Sequence, residues 1–296
     1  MSTVTAPALS PDAAGLSSPP RDVVRRSIGT NDASSPAAGG GGGGKVIVLA
    51  NQKGGVGKTT LSVHLTDRLW LAGVKATAVD ADPQAALTAW LGRVDPEAAA
   101  KGRVVGAPDA DALHKILTKT RQLGRVAVVD APPGVEAVSR VLAFHADLLL
   151  VPCGPSMLDL WATGKFLEVV GRTLQLVGDR RVGAGRVRVV PNRRRTGLRL
   201  TRQADKAIEK LAADAAGKFP GFDVRVVPAG VGLREPLSAA CVAGTTVLRQ
   251  ANSTDKKDRA TRRSAEPAAK EIVDLTDCAL RELAATTTPT SVRAAA

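Results

Sequence analysis

Hydrophobic residues lie in short runs along most of the chain, separated by longer segments in which they recur every three or four positions. Short runs rich in Val, Ile and Leu predict buried β-strands, and the longer period predicts amphipathic helices. The predicted strands are residues 46–50, 74–80, 126–130, 147–151, 187–190 and 224–227. The predicted helices are residues 58–71, 83–91, 110–123, 135–144, 158–177, 200–213 and a closing helix near 268–283.

This alternation predicts an α/β fold, in which a mostly parallel sheet is covered by helices on both faces. We expect a single domain over residues 45–285, because the pattern starts abruptly after six consecutive glycines. Residues 1–44 and 286–296 are rich in small and polar residues and predict disordered tails. Ligands of such sheets bind beyond the carboxyl ends of the strands. The predicted strand ends are therefore the places to look for chemistry.

The segment after the first predicted strand has the composition of a phosphate-binding loop. Residues 51–60 are Asn-Gln-Lys-Gly-Gly-Val-Gly-Lys-Thr-Thr and lead into a predicted helix. Glycines let several N–H groups converge on one point, and a helix N-terminus adds a partial positive charge. We expect the Lys58 ammonium to reach the β- and γ-phosphates and the Thr59 hydroxyl to bind Mg²⁺. The predicted binding residues are Gly54, Gly55, Val56, Gly57, Lys58, Thr59 and Thr60.

Residues 53–60 resemble the deviant Walker A motif of the ParA/MinD ATPases, which have a P-loop NTPase fold. The resemblance implies ATP and Mg²⁺ as cofactors and hydrolysis of ATP to ADP and phosphate. It also implies an ATP-bound sandwich homodimer, in which Lys53 contacts the phosphates of the partner subunit. Residues 151–162 resemble a segment of plasmid and chromosome partition ATPases, and residues 82–84 with 87–90 resemble the type Ib branch of these proteins.

Three carboxylates follow predicted strands and are candidates for the same site. An apolar strand that ends in Asp130 predicts a Walker B ligand of Mg²⁺. Asp80-Ala-Asp82-Pro-Gln resembles the switch I motif of the family, which implies Asp80 in the magnesium shell and Asp82 orienting the attacking water. Asp82 is alternatively a helix N-cap with Pro83 at the first helical position. By resemblance Asn192 contacts adenine, and a turn residue after a proline is the alternative.

The formal net charge of +13 bears on the partners. Most of the excess positive charge lies in residues 186–225 and 249–270. These segments form either a binding surface for a polyanion or simply a solvated face of the protein. The chain has no Tyr and only seven Phe and Trp residues, so stacking on single-stranded bases is disfavoured. Sequence-independent contact with duplex phosphates fits better. The residues predicted to make it are Arg193, Arg194, Arg195, Arg199 and Arg202.

These expectations combine into an ATP-dependent DNA partition ATPase that binds DNA as an ATP dimer. By the same resemblance, a ParB-like centromere-binding protein would stimulate hydrolysis and release the DNA. We expect a cytoplasmic protein without a membrane partner, because the three cysteines indicate a reducing compartment and no apolar run is long enough to span a bilayer. The resemblance to partition ATPases implies that it associates with the nucleoid. Two alternatives stay open: an ATPase that positions a protein cargo, and a P-loop metabolic enzyme such as an ATP-dependent amide ligase.

Overall fold

In a computed structural model, residues 43–134, 137–178, 185–195, 197 and 199–284 are described. Within them one sheet has the order β3-β2-β4-β1-β5-β6-β7, and every pairing is parallel. Its strands are β1 Lys45–Leu49, β2 Ala76–Asp80, β3 Val104–Gly106, β4 Val126–Asp130, β5 Leu148–Cys153, β6 Arg186–Pro191 and β7 Val224–Val226. The predicted α/β fold with a parallel sheet is confirmed.

Helices cover both faces of this sheet, as the periodicity predicts. They are α1 Lys58–Leu71, α2 Ala86–Val94, α3 Pro96–Ala100, α4 Ala110–Gln122, α5 Ala137–His145, α6 Met157–Val177, α7 Arg199–Lys218, α8 Glu235–Val242, α9 Val247–Ala251 and α10 Arg259–Ala284. A 3₁₀ turn, Lys256–Asp258, precedes α10. Among the described residues, no helix combines the length and the hydrophobicity needed to cross a bilayer.

Alternating residues of β1 show how the sheet divides the core into two layers. Ile47 and Leu49 pack with α1, α2, α8, α9 and α10 on one face. Val46 and Val48 pack with α4, α5, α6 and α7 on the other. All four side chains are fully buried. Because β1 lies at the centre of the sheet, the loop that follows it is fixed by apolar packing on both sides.

Several elements differ from the predictions. The three-residue strand β3 is only partly buried, so it lacks a strong apolar run, and α3, α8 and α9 are too short for a clear period. Helix α10 begins at Arg259 and continues through Pro267, where the prediction had it begin. Its first turns are held because Ala265 and Ala268 are buried. Helix α2 starts three residues later than predicted, for a reason that lies in the site.

The end of the predicted amino-terminal tail, Gly43 and Gly44, lies within the described residues. Gly44, the last residue of the predicted tail, is buried, and its N–H donates to the Arg121 carbonyl at 2.9 Å. A Cβ there would lie 2.3 Å from the Arg125 carbonyl oxygen, so only glycine fits. The rest of the predicted tails, residues 1–42 and 286–296, and the first two residues of the predicted helix 135–144 lie outside the described residues.

Two arginines counted in the basic segment 186–225 lie in the interior. Arg186 and Arg188 on β6 are buried, and Arg188 forms ion pairs with Asp223 at 3.0 Å and with Glu282 of α10 at 2.6 Å. Burial works to lower the pKa of Arg188, but its bonds to Glu282 and Asp223 outweigh it and raise that pKa. These two charges fasten α10 to the sheet and are not available to a polyanion. The basic surface is therefore smaller than the sequence count implied.

Candidate nucleotide-binding site

The loop between β1 and α1 has the backbone of an anion site. Gly55 and Gly57 adopt positive φ angles of 73° and 96°, which turn the chain sharply into the helix. Gly57 is the N-cap of α1, no side chain caps this end, and the first turn has no acidic residue. The first N–H groups of α1 are thus left for a ligand, and the helix dipole favours an anion there.

Lys58 lies inside this loop. Its ammonium donates to the carbonyl of Lys53 at 3.1 Å, and the side chain is buried. Burial lowers the pKa of Lys58, while the nearby Asp130 and Asp82 act in the opposite direction. An ammonium that has lost much of its hydration gains from an anion placed beside it. Contact of Lys58 with the β- and γ-phosphates stays a prediction.

Thr59 and Asp130 meet at the end of β4. The Thr59 hydroxyl donates to Asp130 Oδ2 at 2.6 Å, and the Ser62 hydroxyl donates to Oδ1 at 3.0 Å. Burial raises the pKa of Asp130 to about 6, although both hydroxyl bonds oppose the shift. A buried carboxylate next to a hydroxyl is a donor set that suits a hard divalent cation such as Mg²⁺. Ser62, one helical turn after the motif, was not singled out in the sequence.

Asp80, and not Asp82, accepts a hydrogen bond from the first turn of α2. Asp80 is buried and accepts hydrogen bonds from the N–H groups of Thr88, at 2.8 Å, and Asp82, at 3.2 Å. It thereby satisfies the first turn of α2. The Asp82 carboxylate accepts from the Gln84 N–H, and the left-handed Ala85, with a φ of 52°, precedes the helix. The N-cap alternative for Asp82 is therefore wrong.

The side chain of Lys53 points away from its own loop. Its ammonium lies 2.5 Å from Asp159 Oδ1, in the first turn of α6. Burial works to raise the pKa of Asp159, but hydrogen bonds from Lys53 and Ser156 prevail and hold it below its usual value. Ser156 and Asp159 also form a reciprocal capping box. Asp159 was not predicted as a site residue, although the Ser-x-x-Asp spacing was a visible signal.

Asn192 and Arg193 join the end of β6 to the same loop. The Asn192 amide donates to the Val56 carbonyl at 2.7 Å, and Arg193 donates to the Gly55 carbonyl at 3.2 Å. Arg193 has a φ of 57°, a left-handed backbone that a non-glycine residue adopts at a cost. An adenine contact for Asn192 stays a prediction. Arg193 faces the nucleotide loop rather than standing free with the other arginines.

The remaining predicted DNA-binding residues lie just beyond. Arg194 forms an ion pair with Asp205 at 2.6 Å, so its charge is already balanced. Arg195, Arg199 and Arg202 are exposed. Arg195 and Arg202, together with Arg194, line a cleft of about 440 Å³. The three exposed arginines surround the start of α7, next to the nucleotide loop.

Comparison with known proteins agrees with this geometry. The model of the CobQ/CobB/MinD/ParA nucleotide binding domain matches residues 47–237. The chain belongs to this family. Its match ends within α8, so the fold from β1 to the sheet edge at β7 is the shared nucleotide-binding unit.

The matches to individual relatives cover only part of each protein. The maintenance of carboxysome distribution protein A of Halothiobacillus neapolitanus is 36% identical over 125 residues, which are 42% of this chain and 57% of the relative. Protein ParA of Rhizobium radiobacter is 33% identical over 141 residues, 46% of this chain and 60% of the relative. The chain thus matches under two thirds of either relative.

Solved structures support the fold. The McdA(D38A)–ATP complex of Cyanothece has a TM-score of 0.55 at 21% identity, over 79% of this chain and 97% of that one. A chain of the MinC:MinD cell division protein complex of Aquifex aeolicus has a TM-score of 0.56 at 18% identity, over 82% of this chain and 97% of that one. At this level of identity the likeness concerns the fold alone.

Proposed function

We propose that the chain is a partition-type ATPase. ATP and Mg²⁺ bring two copies together, the dimer binds duplex DNA nonspecifically, and hydrolysis stimulated by a ParB-like centromere-binding protein releases it. The observation that supports this most is the separation of the two loop lysines. Lys58 lies within its own loop, whereas the Lys53 ammonium lies outside it, on Asp159. A lysine turned away from its own phosphate site is available to the site of a second molecule.

Different residues of one chain bind the phosphates, hold Mg²⁺ and orient the attacking water. The N–H groups at the start of α1 bind the phosphates, and Lys58 offsets the charge on the β- and γ-phosphates. Thr59 and Asp130 would hold Mg²⁺, which neutralises charge on the same oxygens. Asp82 orients a water, whose oxygen bonds to the γ-phosphorus as the bond to the β,γ-bridging oxygen breaks, giving ADP and phosphate. Asp80 stays a predicted member of the magnesium shell, and its two oxygens also accept one backbone bond each.

The surface beside Lys53 suits a second copy of the chain. Met157, Leu158 and Trp161, in the first turns of α6, are each about 60% exposed. Large apolar side chains clustered in this way commonly mark a protein interface. They lie within a few residues of Asp159, the residue that holds Lys53. A partner approaching to receive Lys53 would therefore also cover this apolar surface.

Contact with DNA is assigned to the exposed arginines at the start of α7. Arg195, Arg199 and Arg202 offer guanidinium groups in a stretch of sequence without aromatic residues, which fits phosphate contact without base recognition. A dimer doubles this surface. Such binding would associate the ATP-bound form with the nucleoid.

Alanine variants of the two lysines test the proposal. With ATP and Mg²⁺, light scattering should show a dimer for the unaltered chain and a monomer for Lys53→Ala and Lys58→Ala. Both variants should lose ATP-dependent retention of duplex DNA. Lys115→Ala, at an exposed position of α4, is the matched control and should behave like the unaltered chain. Dimerisation and DNA retention that survive in both loop variants would refute the mechanism.

The name of one relative favours a second candidate, an ATPase that positions a protein cargo. Deleting the gene separates the two candidates. A partition ATPase predicts loss of one replicon from the progeny, whereas a cargo-positioning ATPase predicts a misplaced protein assembly with normal DNA inheritance. Nothing in the described residues favours the amide-ligase alternative.

A further inference from the structure

A second basic site lies at the opposite end of the sheet, where β2 and β4 begin. A crevice of about 410 Å³ opens there, which is within the usual size of small-ligand pockets. Four basic side chains line it, and no acidic residue does so within the described chain. The four are Lys75, Lys101, Arg103 and Arg125. The nucleotide loop follows the carboxyl end of β1, so this crevice is a separate site.

One of the four cations is held in place by an aromatic ring. The guanidinium carbon of Arg103 lies 4.6 Å from the centre of the Trp70 ring. The Trp70 indole N–H donates to the Ala76 carbonyl at 3.0 Å, which fixes the ring. A cation stacked on a fixed ring is already ordered and loses little entropy when it binds a ligand. The crevice therefore has a rigid centre.

The positive charge of the crevice is largely unbalanced. In the described part of the chain, Lys75, Arg103 and Arg125 form no ion pair with an acidic side chain. Lys101 does pair with Glu97, but both groups are exposed, and such surface pairs contribute little. Neighbouring cations repel one another, and an anion between them relieves that repulsion.

One nearby feature opposes an anion. Trp70 and Gly73 belong to the carboxyl end of α1, and a helix end of this kind carries partial negative charge. The last carbonyls of α1 are already used, because those of Arg68, Trp70 and Leu69 accept bonds from the N–H groups that follow the helix. Four full positive charges outweigh the remainder of this partial charge.

We propose that this crevice binds a phosphate-bearing anion. Guanidinium and ammonium groups around one concave space match the oxygens of phosphate in charge and in hydrogen bonding. The phosphate can come from a small polyphosphate or from the backbone of DNA. Either source would occupy the same side chains, with Arg103 at the centre.

Pyrophosphate is the probe for the small-anion source. It is titrated calorimetrically into the full chain with excess ADP and Mg²⁺, so that the nucleotide loop is filled. We expect one binding event that Arg103→Ala weakens about tenfold or more, the usual effect of losing one charge-assisted hydrogen bond. The double variant Lys75→Ala/Arg125→Ala should weaken it further without disturbing the Trp70 contact. Lys270→Ala, at an exposed position of α10, is the matched control.

Salt-dependent binding of duplex DNA tests the other source. Each lost phosphate contact reduces the slope of log affinity against log salt by about 0.9. A reduced slope in Lys75→Ala/Arg125→Ala, with no effect of Lys270→Ala, assigns the crevice to the DNA backbone. An unchanged slope together with pyrophosphate binding assigns it to a small anion. If pyrophosphate does not bind and the slope is unchanged, or if the control changes as much as the variants, the proposal is wrong.

Discussion

The ion pair between Lys53 and Asp159 predicts that Asp159→Asn strengthens ATP-dependent dimerisation. In the proposed dimer Lys53 must leave Asp159 to reach the phosphates of the partner. The ammonium and carboxylate oxygen are 2.5 Å apart, and Asp159 is buried. Asparagine keeps an oxygen that can accept from Ser156, so the start of α6 is preserved while the charge that holds Lys53 is lost.

The size of the effect follows from the exposure of the pair. A hydrogen bond between charged groups contributes about 1.5–3 kcal/mol. The Lys53 side chain is 35% exposed, so solvent screening reduces this to about 1 kcal/mol. Two such pairs break in each dimer, for a total of about 2 kcal/mol. The dimer dissociation constant should therefore fall by about thirtyfold.

Sedimentation equilibrium with a slowly hydrolysed ATP analogue measures this constant directly. Glu168→Gln is the control, because Glu168 lies on α6 like Asp159 and pairs with Lys218 of α7. It should leave the dissociation constant unchanged. If Asp159→Asn leaves dimerisation unchanged or weakens it, Lys53 does not exchange Asp159 for a partner phosphate and the reasoning fails.

Three further predictions concern single groups. The pKa of Asp130 is raised to about 6, so its contribution to stability is lost as pH rises from about 4 to about 6. Over this range the free energy of unfolding, measured with urea, should fall by about 3 kcal/mol more in the unaltered chain than in Asp130→Asn. Gly57→Ala should abolish nucleotide binding in a calorimetric titration, because its φ is 96° and a Cβ would lie 2.3 Å from the Asn192 amide. Arg195→Ala/Arg202→Ala should reduce the salt slope of DNA binding by about two, with ATP-dependent dimerisation unchanged.

The sequence predicted those parts of the fold that local patterns determine. Strands with continuous apolar runs, such as β4 and β5, were found within one or two residues, and α1 matches its prediction at both ends. The start of α2 could not be found locally, because Asp80 caps its first turn from eight residues away. The closing helix was predicted near residues 268–283, but α10 begins at Arg259, since burial of Ala265 and Ala268 on either side of Pro267 outweighs the lost backbone bond.

The candidate site, too, was predictable only where local sequence determines it. The predicted roles of Lys58 and Thr59 come from a motif in which backbone geometry and side-chain chemistry are encoded together, and that of Asp130 comes from an apolar strand that ends in a carboxylate. The position of the Lys53 side chain does not, because its partner is 106 residues away. Likewise the charge count could not separate Arg188, which is buried between two carboxylates, from the exposed Arg195. Contacts between distant segments decide both cases.

The short segment after β6 has a thermodynamic consequence. Asn192 and Arg193 hydrogen-bond two successive carbonyls of the nucleotide loop, and the chain continues within two residues to an exposed arginine. If the loop rearranges on filling and keeps these two bonds, the backbone that carries the basic surface moves with it. Free-energy coupling between two ligands is reciprocal. If a bound triphosphate raises the affinity for a polyanion, the polyanion must raise the affinity for triphosphate by the same factor.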